Sequence, residues 1–333
     1  MIGYYVHHQG DGHVTRAAAI ARRLGDEPVT GLSSRPRPDE WAGPWLQLAR
    51  DDDPPASEAA DPTAGGALHW APAKHPGLRE RMAQIAAWVA THDPRLIVVD
   101  VSVEVTVLAR SMGVPVVVMG MPGAREDAAH QLAYRLADAI LAPWPEWADV
   151  LAGGAAWQDK LHPVGPISRF EDRDPPTDRV HGGRKVLVLS GRGGTQLTQD
   201  GLAAAQRATP QWEWTVLGPP SARWVADPWS LLCGADVVVT HAGQNAIADV
   251  AAARCPAVVI PQERPHREQR ATADAVRDAG LAVVCSRWPE PRAWPALLSE
   301  AVRRGGDPWA RWSSGSGAAR AAAVLEELMC APR

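Results

Sequence analysis

The chain has 333 residues, 46% of them hydrophobic and 22% charged, which is enough for one large or two medium cores and excludes bulk disorder. Its four cysteines form no CxxC pair, so a zinc ribbon, a dithiol redox motif and a disulfide scaffold are all excluded. Net charge is −4, and only Lys74, Lys160 and Lys185 join the arginines, which is not the footprint of a nucleic-acid binder.

The chain opens on a short apolar run, Ile2–Val6, with no basic flank, and no later apolar run approaches ~18 residues. Neither secretion nor membrane spanning is expected, and the cysteine usage fits a cytoplasmic setting. After this first strand comes His7-His8-Gln9-Gly10-Asp11-Gly12-His13, then a helix opening at Val14-Thr15-Arg16-Ala17. A glycine-rich turn there lets a ligand approach the backbone. It is not a dinucleotide fingerprint, because Thr15 stands where GxGxxG needs glycine or alanine. His13, at the start of the helix, has the type and place of a general base; a capping or packing histidine is the alternative. His7 and His8 should alternate across the strand end, which disfavours a metal cluster there.

Asp51-Asp52-Asp53-Pro54-Pro55 through Gly65-Gly66 is acidic and turn-rich, and reads as a mobile loop. The next strand, Leu96–Val99, delivers Asp100 to its carboxyl tip, either as partner to His13 or as cap of a helix beginning near Val103. Val114–Met119 is a third strand. Residues 161–184, rich in proline, glycine and charge, read as a linker between a domain at 1–160 and another at 185–310. Cut at Gly165, the first part carries −6 and the second +2, so the second is the better anion binder.

In the second part Lys185–Leu189, Trp214–Leu217, Val237–Thr240 and Ala257–Ile260 alternate with helical patterns. The whole chain thus reads as α/β, two doubly wound Rossmann-like domains facing a cleft, with ligands at the carboxyl ends of strands. The loop Ser190-Gly191-Arg192-Gly193-Gly194-Thr195 lacks the lysine of a nucleotide-triphosphate loop but offers amides to phosphate. Thr240-His241-Ala242-Gly243-Gln244-Asn245 is the sharpest signal: a strand, a polar turn, and a helix whose free N–H groups suit a phosphate. Asp249, one to two turns into that helix, has the reach of a ribose ligand. Glu268 and Gln269 follow another strand end and suit sugar hydroxyls. Fifteen tryptophans are scattered through both halves, with Trp224 the one to watch.

These residues resemble the GT-B-fold, nucleotide-sugar glycosyltransferases, in particular the MurG-like and the macrolide and plant UDP-glycosyltransferase groups. The resemblance covers nearly the whole chain and is most specific over Thr240–Gln269. It implies that His241 contacts a diphosphate, with Gly243, Gln244 and Asn245 around the phosphates, that Asp249 holds the ribose, and that Glu268 and Gln269 hold the donor sugar. It also implies that Gly191, Gly193 and Gly194 face the donor, that Trp224-Val225 reads the base, and that Gly10, Asp11 and Gly12 form the acceptor-side loop carrying His13, with Asp100 its acidic partner. A helix over Ala318–Met329, within the terminal segment 311–333, would pack back on the first domain. Departures are the shorter Asp249, Ala246 in place of a serine or threonine, and His8 and Asp11 in a loop that usually prefers small residues.

The reading that follows is an inverting, metal-independent glycosyltransferase without a cofactor. It would take a nucleotide-diphosphate sugar, UDP before dTDP, and a small-molecule acceptor such as a natural-product aglycone or aminosugar, with neither nucleic acid nor membrane as partner. A sugar-nucleotide epimerase and a non-catalytic donor-binding subunit are the rivals; several acid/base groups around the donor sugar would mark the first, loss of His13 and Asp100 the second.

Overall fold

A computed structural model describes residues 1–57, 60–176, 182–191 and 195–330. The first domain is built from β1 (Ile2–Val6), α1 (Asp11–Ala21), β2 (Val29–Ser33), β3 (Trp45–Gln47), α2 (Pro76–His92), β4 (Leu96–Asp100), α3 (Val103–Ser111), β5 (Val116–Met119), β6 (Gly123–Ala124), α4 (Ala128–Leu136), β7 (Ala139–Ala142), β8 (Leu151–Ala152) and β9 (Leu161–Pro163). Seven of these strands form one parallel sheet in the order β3-β2-β1-β4-β5-β7-β9. β1, β4, β5 and β7 are buried, largely apolar runs throughout their length, the pattern of a sheet covered on both faces.

The second domain contains β10 (Lys185–Leu189), α5 (Gln199–Ala208), β11 (Glu213–Leu217), α6 (Trp229–Gly234), β12 (Val237–Thr240), α7 (Gln244–Ala252), β13 (Ala257–Val259), α8 (Glu268–Asp278), β14 (Val283–Val284) and α9 (Trp294–Arg304). Its parallel sheet has the order β11-β10-β12-β13-β14. Both sheets reverse direction of growth beside their first strand, between β1 and β4 and between β10 and β12. A crevice opens at the carboxyl ends of strands at such a point. The register makes the strand tips neighbours: Val6 pairs with Asp100, and Leu189 with Thr240.

The first sheet runs past residue 160, because Leu161–Pro163 is its last strand and Val164 and Ile167 are buried in the first-domain core. The stretch expected as linker from 161 therefore begins as part of that domain, and its residues 177–181 lie outside the described residues. The last helix, α10 (Gly317–Cys330), packs Ala321, Ala322 and Leu325 into the core shared with α1. Its start fits closely: a Cβ on Gly317 would stand 2.2 Å from the Pro166 carbonyl oxygen. The Glu171 carboxylate accepts from the Ala318 N–H at 3.0 and 3.1 Å.

The acidic stretch at 51–53 differs from the mobile, solvated loop that its composition suggests. Asp51 is buried and lies 2.5 Å from Nη1 of the equally buried Arg81, while the Trp70 indole donates to the Asp51 carbonyl at 2.7 Å. Asp52 pairs with Arg50 at 2.7 Å. Charges paired in this way anchor the segment.

Candidate active site

The first-domain half of the site is set by where β1 and β4 end. Gly10 precedes α1 with φ of 84°, a left-handed value that glycine adopts without Cβ strain. In the first turn of α1, His13 Nδ1 lies 2.8 Å from Asp100 Oδ1. Asp100 is fully buried, and the cap of α3 is Ser102, whose hydroxyl accepts from Val105 N–H at 3.2 Å. The capping alternative for Asp100 is thereby displaced. Val101 between them has φ of 64°, a strained value for a β-branched residue.

Sequence reasoning passed over the third member of this cluster. Arg16 is buried, one helical turn beyond His13, and donates to Asp100 from Nε at 3.1 Å and from Nη2 at 2.6 Å. Burial by itself would raise the Asp100 carboxyl, but Arg16 and then His13 outweigh it and hold that carboxyl well below the usual range. The signal was present, since residues three apart on a helix share a face. Arg16 Nη1 also donates to Gln244 Oε1 at 2.8 Å, across the cleft.

β1 ends at Val6, so strand alternation does not extend to the two histidines that follow. Their rings stack at 4.9 Å instead of facing opposite ways, and His7 lies 5.7 Å from His13. Burial, then the neighbouring His13 and His8, lower His7 to about 3. In the same loop, Arg35 donates to Asp11 Oδ1 at 2.6 Å and to the Gly10 carbonyl at 3.1 Å.

The second-domain half begins at β12. Gly243 caps α7 in extended conformation, leaving the first N–H groups of the helix without intrahelical acceptors. His241 is buried; its Nδ1 lies 3.1 Å from the Ile260 carbonyl, and its Nε2 lies 3.0 Å from the Thr195 hydroxyl in the glycine loop. The carbonyl can only accept, so Nδ1 carries the proton and Nε2 takes the hydroxyl's. Burial lowers the His241 pKa. Ser190 Oγ is buried with no partner among the described residues, Gly191 is exposed beside it, and Gly193 and Gly194 lie outside the described residues.

Several side chains expected to read the donor are engaged elsewhere in this conformation. Asn245 Nδ2 donates to the Gly12 carbonyl at 3.2 Å. Asp249 is buried, accepting from Ser168 Oγ at 2.7 Å and Arg169 Nε at 3.2 Å; burial pushes its carboxyl up against the pull of Arg169. Arg169 also reaches the Ala226 carbonyl at 3.4 Å, next to the expected base-reading pair. Of that pair, Trp224 is 46% exposed and Val225 packs partly on the core. Glu268 accepts from Arg125 of the first domain at 3.1 Å, and Gln269 Oε1 accepts from the Gln262 N–H at 2.9 Å. Nothing in local sequence pointed to Arg125, Ser168 or Arg169, which meet their partners only through the tertiary fold.

A cavity of about 30 Å³ lies at the ends of β4 and β5, lined in part by Val101, Ser102, Met121, His130 and Tyr134. It is wide enough for about one water. Among the described residues, two groups have metal-ligand character: His69, Asp127, His130 and His266; and His8, Asp51 and Asp52. The second group already faces Arg81 and Arg50.

Residues 229–304 match the glycosyltransferase family 28 C-terminal domain. An uncharacterized glycosyltransferase of Methanopyrus kandleri is 26% identical over 276 residues, covering 71% of this chain and 76% of that one. Among solved structures, the glycotransferase of kitacinnamycin aligns over 98% of each chain with a TM-score of 0.68 and 20% identity. The calicheamicin glycosyltransferase aligns over 99% of each with 0.68 and 17%. MurG of Acinetobacter baumannii aligns over 98% of this chain and 99% of its own, with 0.63 and 14%. The fold is GT-B, shared over nearly the full length with these solved structures, and the second domain is similar to the family 28 C-terminal domain.

Proposed function

We propose that the protein transfers a sugar, with inversion, from a nucleotide-diphosphate sugar held by the second domain to a small-molecule hydroxyl held by the first, with His13 as general base. The observation that carries this reading is the contact between His13 Nδ1 and a fully buried Asp100, at the switch point of the first sheet and facing the start of α7. With Nδ1 donating to the carboxylate, Nε2 is left as the acceptor of a proton. Arg16 keeps that carboxylate ionised, so the ring is always offered the same partner.

In the step, the acceptor O–H bond breaks and its proton goes to His13 Nε2 while oxygen bonds to the anomeric carbon. The bond from that carbon to the diphosphate oxygen breaks, and the electron pair leaves with the diphosphate. Three features support stabilisation of that charge without a metal: the N–H groups at the start of α7, the glycine loop around Gly191, and His241. The donor motif has no DxD-like dyad. Because His241 Nε2 is an acceptor here, a diphosphate at that atom would draw in a proton.

UDP is the nucleotide favoured, dTDP the second, with Asp249 as ribose ligand and Glu268 and Gln269 toward the sugar. An aglycone or aminosugar is the acceptor proposed. The test is a panel of nucleotide sugars and phenolic or aminosugar acceptors in the presence of a chelator, with anomeric configuration of the product read by NMR. Inverted glycoside and free nucleotide diphosphate are expected; a retained configuration, or interconversion of the donor sugar without acceptor, contradicts the reading.

A further inference from the structure

Apart from the His13 cluster, four side chains with metal-ligand chemistry converge where the two domains touch. Asp127 caps α4, accepting from the His130 N–H at 3.1 Å. Its carboxylate oxygens lie 3.1 Å from His69 Nε2 and 2.6 Å from His130 Nδ1. His266, which comes from the second domain just before α8, brings Nδ1 to 3.7 Å from the same carboxylate. One ligand atom from each of the four residues lies within 4.8 Å of all the others.

The spacing of the rings fits one ion. The centroids of His69 and His130 are 4.3 Å apart, those of His130 and His266 4.7 Å, and those of His69 and His266 6.0 Å. Nitrogen ligands ~2.0–2.1 Å from a tetrahedral zinc put ring centres about 5 Å apart, which these values bracket. Arg125 Nη1 stands 3.3 Å from His130 Nε2, but Glu268 takes up its charge at 3.1 Å. The small cavity lined by His69 and His130 adjoins the group and has room for one water.

We infer that His69, Asp127, His130 and His266 form a binding site for a divalent ion of zinc type that ties the second domain to the first. These ligands are a different set from the residues proposed to bear the diphosphate, so the inference stands or falls independently of glycosyl transfer. Its consequence is mechanical: an ion here would hold the segment before Glu268 against α4 and favour a closed cleft.

The full chain, stripped with a chelator, is titrated with Zn²⁺ by calorimetry and with Co²⁺ by visible absorption, and its thermal midpoint is followed with and without Zn²⁺. One equivalent, a tetrahedral cobalt spectrum and a raised midpoint are expected. His130→Ala and His266→Gln should weaken binding by at least about tenfold. His69→Gln, at a residue only partly buried, should do the same with its circular dichroism intact, and it decides the matter if His130→Ala fails to fold. His8→Gln, in the other histidine–aspartate group, should leave the affinity unchanged. Failure to bind one equivalent overturns the inference and leaves the four groups a hydrogen-bonded clasp. Binding that survives His69→Gln unaltered overturns it equally.

Discussion

The two faces of the cleft are built on opposite plans. On the first-domain face, His13, Asp100 and Arg16 satisfy one another from adjacent elements, two of them buried, and the geometry exists before any ligand arrives. On the second-domain face, Gln244 is held by Arg16, Asn245 by Gly12, Glu268 by Arg125 and Asp249 by Ser168 and Arg169. All of these partners belong to the first domain or to the segment leaving it. On the proposed function the first-domain groups are thus preorganised, whereas those assigned to the donor are committed to contacts that a nucleotide sugar would share or replace.

The sharpest way to break this comparison is to damage the preorganised side. Asp100→Asn leaves the Arg16 guanidinium buried without its counter-charge, a loss of about 3–5 kcal/mol in stability, and it also removes the partner of His13. The expected result is a much lower unfolding midpoint in urea together with lost turnover. A variant as stable as the parent would show that Arg16 is not balanced by Asp100.

On the donor side the expected losses are smaller and specific to the ligand. Asp249→Ala should weaken UDP by about 1.5–3 kcal/mol through lost ribose hydrogen bonds. A 2′-deoxy analogue measured alongside should lose less. Equal losses for both nucleotides would make Asp249 an anchor for Ser168 and Arg169 alone.

Acid sharpens the contrast further. A folded His7 near 3 against an unfolded value of ~6.5 means that the unfolded chain binds the extra proton, so stability falls as pH drops from about 6.5 toward 3, by at most about 1.4 kcal/mol per unit. The depressed Asp100 adds its own loss only below its unfolded value of ~3.9. Thermal midpoints between pH 7.5 and 5 should therefore decline, with a flatter slope in His7→Gln. An identical slope in that variant would remove His7 from the account.

Asn245→Ala should have the smallest effect, less than about fivefold on nucleotide affinity, because a lost phosphate contact is offset by release of the Gly12 carbonyl, each worth about 1 kcal/mol. A loss well beyond tenfold would show that the Gly12 contact opposes nothing.

What was readable in the sequence follows the same division. The meeting of His13 and Asp100 was legible because neighbouring strand ends of a doubly wound sheet lie together, with Asp100 at the tip of β4 and His13 in the helix after β1. Arg16 was equally local and was passed over. The positions of Asp249 and Glu268 were visible, but their partners were not, since Ser168, Arg169 and Arg125 lie far away in sequence and no periodicity encodes such meetings. For the same reason nothing in the sequence joins His69, Asp127, His130 and His266, which the fold brings together. Composition misled at Asp51, where an acidic run suggested a solvated loop and the fold uses the charge to neutralise buried Arg81. The seventh strand was hidden as well, because Leu161–Pro163 is short and ends in proline, which reads as linker.

The central claim is that His13 acts on the acceptor from a site formed independently of the donor. Steady-state kinetics of His13→Ala with saturating acceptor, beside calorimetric titration of the nucleotide diphosphate, test it together. The account predicts a fall of ~10² to 10⁴ in kcat with nucleotide affinity within a few-fold of the parent. A kcat close to that of the parent would contradict it and leave His13 a structural residue.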